Sequence, residues 1–193
     1  MNSRNAVFVA ACVLIVSFVG CITIPLGDPE KSKVDDKLVG AWISKPNEDG
    51  NQTLFAIVQY DTHTCMVSQL GFVKEGETIK PAGRFDWKMW LVDIKGTTFA
   101  SLEMKNAQLA IEPQEERFAS AKIKRDGDSL TIQPVKDDFV KNANITTSQQ
   151  LHDLIADNLN SADLYGEPLT LTKVKDDQKE MVGKVFEAFT GGK

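Results

Sequence analysis

The chain has 193 residues and a formal net charge of −5, from 22 basic and 27 acidic side chains. Because charges of both signs are intermixed, the composition argues against a nucleic-acid-binding surface and against electrostatic docking on anionic lipid. A chain of this length can bury a real core in one domain and does not require two. Its three cysteines are Cys12, Cys21 and Cys65.

The first twenty residues have the pattern of a secretory signal. Arg4 and the α-amino group supply positive charge, and no acidic residue precedes Asp28. Residues 6–19 contain Ser17 as their only clearly polar side chain. A charged start, an apolar stretch and a small residue before a cleavage point are typical of such signals.

The end of this segment, Phe18-Val19-Gly20-Cys21, resembles a bacterial lipobox. The resemblance implies cleavage before Cys21, a diacylglyceryl group on its thiol and an acylated new amino terminus. Two or three acyl chains hold a protein at a membrane durably, whereas one binds only marginally. We therefore expect a signal peptide over residues 1–20, a lipid anchor at Cys21 and a cell-envelope location outside the cytoplasm. Ile22, rather than Asp, follows the cysteine, and the resemblance to sorted lipoproteins then implies the outer membrane if the cell has two.

Three alternatives remain for this segment. The run Val9-Ala10-Ala11-Cys12 also fits a lipobox, but it leaves only about six apolar residues after Arg4, against the roughly 7–15 needed. Residues 6–24 are near the lower length limit for an uncleaved spanning helix, which Pro25 would end. Secretion with cleavage at another position is the third alternative. Lipidation at Cys21 is favoured, and it leaves Cys65 without a partner for an intramolecular disulfide.

Residues 21–37 predict a flexible tether. They carry Pro25, Gly27 and Pro29 among mixed charges and show little apolar periodicity. Such a segment spans at most about 50 Å. A single β-rich globular domain is expected over residues 38–193.

Short strands separated by turn signals follow. They are predicted at residues 39–44, 53–60, 65–72, 84–94, 97–104, 117–124, 129–135 and 169–174. Lys95-Gly96 and Asp126-Gly127-Asp128 are the tight-turn signals. Strand 84–94 has apolar residues on both faces of its second half and is expected to be buried on both sides there. Residues 105–116 are ambiguous and predict an edge strand at best, because of Pro113.

The apolar period changes from 2 to 3.6 late in the chain. Helices are predicted at residues 137–142, at 148–159 with Thr147 or Ser148 as the cap, and at 176–189 before Gly191. The last helix either docks on its own domain or binds a partner. The fold class is therefore mainly β with late helices: an antiparallel small barrel or curved sheet, with a helix before the last strand and a C-terminal helix.

The run Leu38-Val39-Gly40-Ala41-Trp42 resembles the Gly-x-Trp opening of lipocalin-like (calycin) barrels. The resemblance implies that Trp42 closes one end of a barrel and that Gly40 permits close chain approach. The late Arg that stacks over the Trp in that family has no match here. Trp42 as an ordinary core aromatic is the alternative.

Phe85, Trp87 and Met89 lie in the densest aromatic stretch and share one strand face. Large aromatic side chains carry much of the apolar area that a core buries. Together with Trp42 they are also the candidate residues for binding a small apolar ligand. Core packing and pocket lining both remain open at this point.

No catalytic residue, metal site or cofactor is predicted. His63 and Cys65 point the same way on a strand, but a transition metal needs three or four such ligands. Phosphate-binding loops, nucleophile elbows and His-Glu metal motifs are missing from the sequence.

The sequence thus predicts a membrane-anchored bacterial lipoprotein. Its non-catalytic domain is expected to bind a small apolar ligand or an envelope protein. The alternatives are a structural or accessory envelope module with a solid core, and a hydrolase of unrecognised type.

Overall fold

Eight antiparallel strands close into a barrel. The computed structural model describes residues 22–107 and 117–191. The strands are β1 (Gly40–Ser44), β2 (Asn51–Gln59), β3 (Cys65–Glu75), β4 (Thr78–Ile94), β5 (Thr97–Ala107), β6 (Phe118–Asp126), β7 (Ser129–Pro134) and β8 (Leu169–Lys173). Each pairs with the next in sequence, and β8 returns to pair with β1. The predicted antiparallel barrel is therefore confirmed.

The described residues form three α-helices, all late in the chain: α1 (Asp137–Asn142), α2 (Ser148–Asp157) and α3 (Lys179–Thr190). The first two connect β7 to β8, and α3 follows β8, as predicted. Thr147 caps α2 in a capping box with Gln150, and Gly191 ends α3 in the left-handed conformation with φ of 73°. Each cap supplies a partner for backbone groups that a helix end leaves unpaired.

The turns between strands alternate between the two ends of the barrel. The β2–β3, β4–β5 and β6–β7 turns lie at one end, here called the closed end. The β1–β2 loop, the β3–β4 turn and the β7–β8 connection lie at the other, here called the mouth. At the closed end Lys95 and Gly96 both have positive φ, and Gly127 has φ of 56°, as tight hairpins require. Both predicted turns are confirmed.

The second half of β4 is buried on both faces, as predicted. Trp87 and Met89 point into the barrel, while Trp90 and Ile94 are buried on its outer wall. The strand begins at Thr78, six residues before its predicted start at residue 84. Pro81 lies where the register with β3 shifts, and such an irregularity tolerates a proline within the strand. Of the segment 105–116, which the sequence left ambiguous, residues 105–107 belong to β5, and residues 108–116 lie outside the described residues.

Apolar clusters fill the barrel and cover parts of its outer wall. The inner cluster is built from all eight strands and Leu38. On the outside, Val185 of α3 is fully buried against Leu54, Leu70 and Phe72. The C-terminal helix therefore docks on its own barrel, as the first alternative predicted.

Residues 22–37 lie against the outer wall, in contrast to the flexible tether that the sequence predicts. This segment, here called the strap, starts at Ile22, whose backbone oxygen accepts a 2.7 Å hydrogen bond from the N–H of Phe118. Leu26 is fully buried. Its N–H donates to Ser101 Oγ at 3.1 Å, and its oxygen accepts from the Trp90 indole at 2.8 Å. The anchors are single residues held by distant partners, so they leave no periodic pattern in the sequence.

The strap then descends to the closed end. Ser32 Oγ accepts a hydrogen bond from the N–H of Leu91 at 2.9 Å. The backbone oxygen of Ser32 lies 2.8 Å from the His63 ring nitrogen Nδ1. Leu38 follows and joins the inner cluster just before β1 begins.

Candidate functional site at the mouth of the barrel

Trp42 fills the closed end. Its side chain is fully buried, and its indole N–H donates to the backbone oxygen of Leu38 at 2.8 Å. The Nζ of Lys173 lies 5.4 Å from the centre of the Trp42 ring. Gly40 has φ of 130°, a backbone conformation that residues with a Cβ rarely adopt, whereas a Cβ there would meet Lys173 Cε at 3.4 Å, an ordinary van der Waals contact. A glycine is therefore needed here for its backbone conformation and not for close chain approach.

Lys173 is a residue that the sequence analysis missed. The lipocalin resemblance implies a late Arg over Trp42, and Lys173 lies there instead. Trp42 and Lys173 are direct partners in the ladder that closes β8 onto β1. That pairing joins the two ends of the domain, so no local signal could reveal it. At this end the barrel is sealed.

The barrel interior is nearly filled. Phe85, Trp87 and Met89 belong to the inner cluster, and the Phe85 and Trp87 rings lie 6.1 Å apart. The remaining cavity measures about 30 Å³, with Trp87 and Met89 among its lining residues. One water needs about 10–15 Å³ by this kind of measure, so the cavity has room for about two. Phe85 and Trp42 pack in the inner cluster and do not line it.

A much larger groove opens at the mouth. Its volume is about 970 Å³. One wall carries neutral polar side chains of β1, β2 and the loop between them: Ser44, Asn47, Asn51, Gln52 and Thr53. The other wall is the β7–β8 connection, including α1. Small-molecule sites are clefts of roughly 300–1,000 Å³, so the groove is at the upper end of that range.

Gln69 lies where the groove meets the cavity and lines both. Its side chain is 96% buried, and its Oε1 accepts a 3.3 Å hydrogen bond from the Trp87 indole N–H. Its Nε2 makes no hydrogen bond to any residue within 22–107 or 117–191. No fully buried side-chain nitrogen or oxygen in those ranges lacks a partner, so this nitrogen is not fully buried, and the groove is the open space that Gln69 lines.

Gln69 was also missed from the sequence. It shares the inward face of β3 with Cys65 and Val67, both of which join the inner cluster. A glutamine among inward-facing apolar residues is the available signal, because buried polar groups need hydrogen-bond partners. That signal becomes readable only once the inward face of β3 is known.

Charges of both signs surround the groove. The basic side chains that line it are Lys45, Lys136 and Lys141; the acidic ones are Asp137, Asp138, Asp163 and Glu167. Because neither sign dominates, the groove is not built for a strongly charged ligand. Its chemistry suits a neutral polar molecule with oxygen acceptors.

His63 and Cys65 do not converge on a reactive site. The His63 ring contacts the strap, while Cys65 is buried in the inner cluster. Burial, with smaller contributions from the negative charges of Asp61 and Asp36, raises the pKa of the Cys65 thiol. Since the thiolate is the nucleophile, this thiol is inert in the folded protein. The described residues contain no group of three or more His, Cys, Asp or Glu side chains placed to hold a metal ion.

No protein-family model, curated protein or solved structure matches this chain. Within residues 22–107 and 117–191, no helix has the length and apolar character needed to cross a membrane. Function is therefore inferred from the sequence of the expected signal peptide, residues 1–20, with Cys21, and from the geometry of the mouth.

Proposed function

We propose that this chain is a bacterial lipoprotein of the cell envelope, anchored by acyl chains at Cys21, whose barrel binds a small ligand at its mouth without catalysing a reaction. If the cell has two membranes, the outer one is the proposed location. The observation that carries the binding proposal is the Gln69 side chain, which is 96% buried yet directs an amide N–H donor into a groove of about 970 Å³.

The chemistry of this position favours a particular kind of ligand. The Trp87 indole can only donate, so it fixes Gln69 Oε1 toward the barrel interior and Nε2 toward the groove. A ligand oxygen can replace water at that nitrogen in a largely apolar setting, where a hydrogen bond is stronger than in bulk water. The cavity beyond Gln69 is only about 30 Å³. A ligand can place no more than a short apolar tip there, with its polar part in the groove.

Mass spectrometry of protein purified from its native membranes tests both parts of the proposal. We expect acyl mass on Cys21 and a co-purifying molecule released on unfolding. Cys21→Ser should free the protein from membranes. A bare Cys21 thiol at the end of an uncleaved leader would reject the anchor.

The site is tested by substituting Gln69 with Met, which keeps the length of the side chain and removes the amide. Losing one hydrogen bond of about 1–1.5 kcal/mol should weaken retention of the co-purifying molecule about tenfold. Gln59→Met, on the exposed end of β2, is the matched control. Equal retention in the two variants would remove Gln69 from the site.

A second candidate is an accessory module whose solid barrel assembles with an envelope protein. Val58 and Tyr60 favour it: they are 56% and 64% exposed and share the outward face at the end of β2. Adjacent exposed apolar side chains can mark a protein contact. Val58→Ser with Tyr60→Ser should shrink a detergent-solubilised complex while leaving the unfolding midpoint of the isolated protein unchanged. An unchanged complex size would reject this role for the pair.

A further inference from the structure

The strap begins at the mouth. Ile22 forms an isolated bridge with Phe118, the first residue of β6. Strand β7 stops at Pro134, opposite Ala121, so it does not reach the first residues of β6. Ile22 takes the vacant edge at Phe118, and the N–H of Val135 donates to the oxygen of Ser120 at 2.8 Å. The start of the strap and the wall of the groove are therefore neighbours.

Ile22 is held firmly in this place. Its side chain is 4% exposed, and its oxygen accepts the 2.7 Å hydrogen bond from Phe118. Four residues later, Leu26 is fully buried and hydrogen-bonded through both its N–H and its oxygen. Cys21 directly precedes Ile22 in the sequence, so a single peptide bond connects an anchor at Cys21 to the docked strap. No free length of chain separates an anchor at Cys21 from the barrel.

We infer that the mouth of the barrel is held against the bilayer surface, with the closed end pointing away from it. The inference rests on the proposed lipidation of Cys21. Strand β6 runs from Phe118 at the mouth to Asp126 at the closed end. Eight steps of about 3.3 Å, tilted by about 40°, place the closed end about 20 Å farther along the barrel axis. Rotation about a single anchor moves the closed end far more than it moves the rim beside Ile22. The rim therefore stays near the bilayer, while the closed end is farther from it on average.

Two consequences follow for the surfaces described above. The groove opens at the level of the lipid headgroups, so its ligand arrives along the membrane surface. No folded domain fits between the rim of the barrel and the bilayer. Val58 and Tyr60, at the closed end of β2, face the aqueous side and stay accessible to a protein. The bilayer headgroup layer is thus the surface that the mouth meets.

The test measures which end is near lipid. The acylated protein is reconstituted in phosphatidylcholine vesicles that carry a nitroxide on the lipid headgroup. A fluorophore is attached at Glu167→Cys, an exposed groove position at the mouth, or at Thr62→Cys, an exposed position in the β2–β3 turn. Labelling is specific because acylation blocks Cys21 and Cys65 is buried. We expect strong quenching at Glu167→Cys and weak quenching at Thr62→Cys.

A tether variant supplies the control. An insertion of about sixteen glycine and serine residues between Cys21 and Ile22 has an r.m.s. length of about 22 Å, which exceeds the barrel height estimated above. The difference in quenching between the two positions should then disappear.

The failures of the two proposals can be told apart. Acyl mass on Cys21 with equal quenching at both positions, or stronger quenching at Thr62→Cys, overturns the inference and leaves the anchor intact. A protein without acyl mass on Cys21 overturns the anchor and this inference together.

Discussion

Replacing Trp42 with Ala tests whether that ring seals the closed end. The side chain is fully buried, and its loss also leaves the Leu38 oxygen without its 2.8 Å donor and Lys173 without the ring beneath it. Truncating a buried Trp costs about 3–5 kcal/mol of unfolding free energy. Since a whole domain has only about 5–15 kcal/mol, the variant should lose about a fifth or more of its stability.

Urea unfolding followed by far-UV circular dichroism gives this free energy without relying on Trp fluorescence. The midpoint should fall while the slope with urea stays the same, because the surface exposed on unfolding is little changed. Trp42→Phe keeps most of the apolar area and loses the N–H, so it should cost about 1–3 kcal/mol. Tyr60→Ala, an aromatic truncation at a 64% exposed site, should cost no more than about 0.5 kcal/mol. A Trp42→Ala loss as small as that of Tyr60→Ala would refute the packing argument.

Three further changes test other contacts. Leu26→Ala should lower the free energy of unfolding by about 2–5 kcal/mol and speed proteolysis within the strap. Lys33→Ala, at an exposed position of the same segment, should do neither. Equal proteolysis rates in the two variants would mean that the strap is not docked. Gly27→Ala should destabilise the protein because φ is +70° and the new Cβ would lie 2.6 Å from Val92 Cγ2. Adding Val92→Ala should relieve the clash but not the backbone strain. A double-mutant cycle of urea midpoints measures the two effects separately. Hydrogen bonds from the His63 N–H and from Thr64 lower the pKa of Asp61. The stability that Asp61 contributes is therefore present above its unfolded-state pKa and is lost as pH falls through its folded-state pKa. Asp61→Asn should reduce the loss of stability below about pH 4, and an unchanged pH dependence in that range would contradict this.

Local chemistry explains what the sequence predicted correctly. Lys95-Gly96 and Gly127 specify turns with positive φ, and the strands around them alternate clearly. Thr147 and Gln150 specify the start of α2 in the same local way. The barrel class follows once such turns separate short strands before the helices begin.

Contacts between residues far apart in the sequence explain what could not be predicted from it. The N–H of Leu26 meets Ser101, 75 residues away, so a segment rich in proline and glycine lies docked where a tether was expected. Lys173 reaches Trp42 only because β8 closes the ladder. Gln69 becomes a candidate site only when the groove, built from both halves of the chain, lies above it.

Strand β7 ends at Pro134, opposite Ala121, so the start of the strap is needed to cover the first residue of β6. A version that starts after Leu26 would keep every strand of the barrel, yet the N–H of Phe118 would lose its acceptor, the oxygen of Ile22. An unpaired backbone donor on a strand edge is a template for a strand of another molecule. The first residues of the strap therefore also cover an edge that another molecule could pair with, and truncation there should increase aggregation.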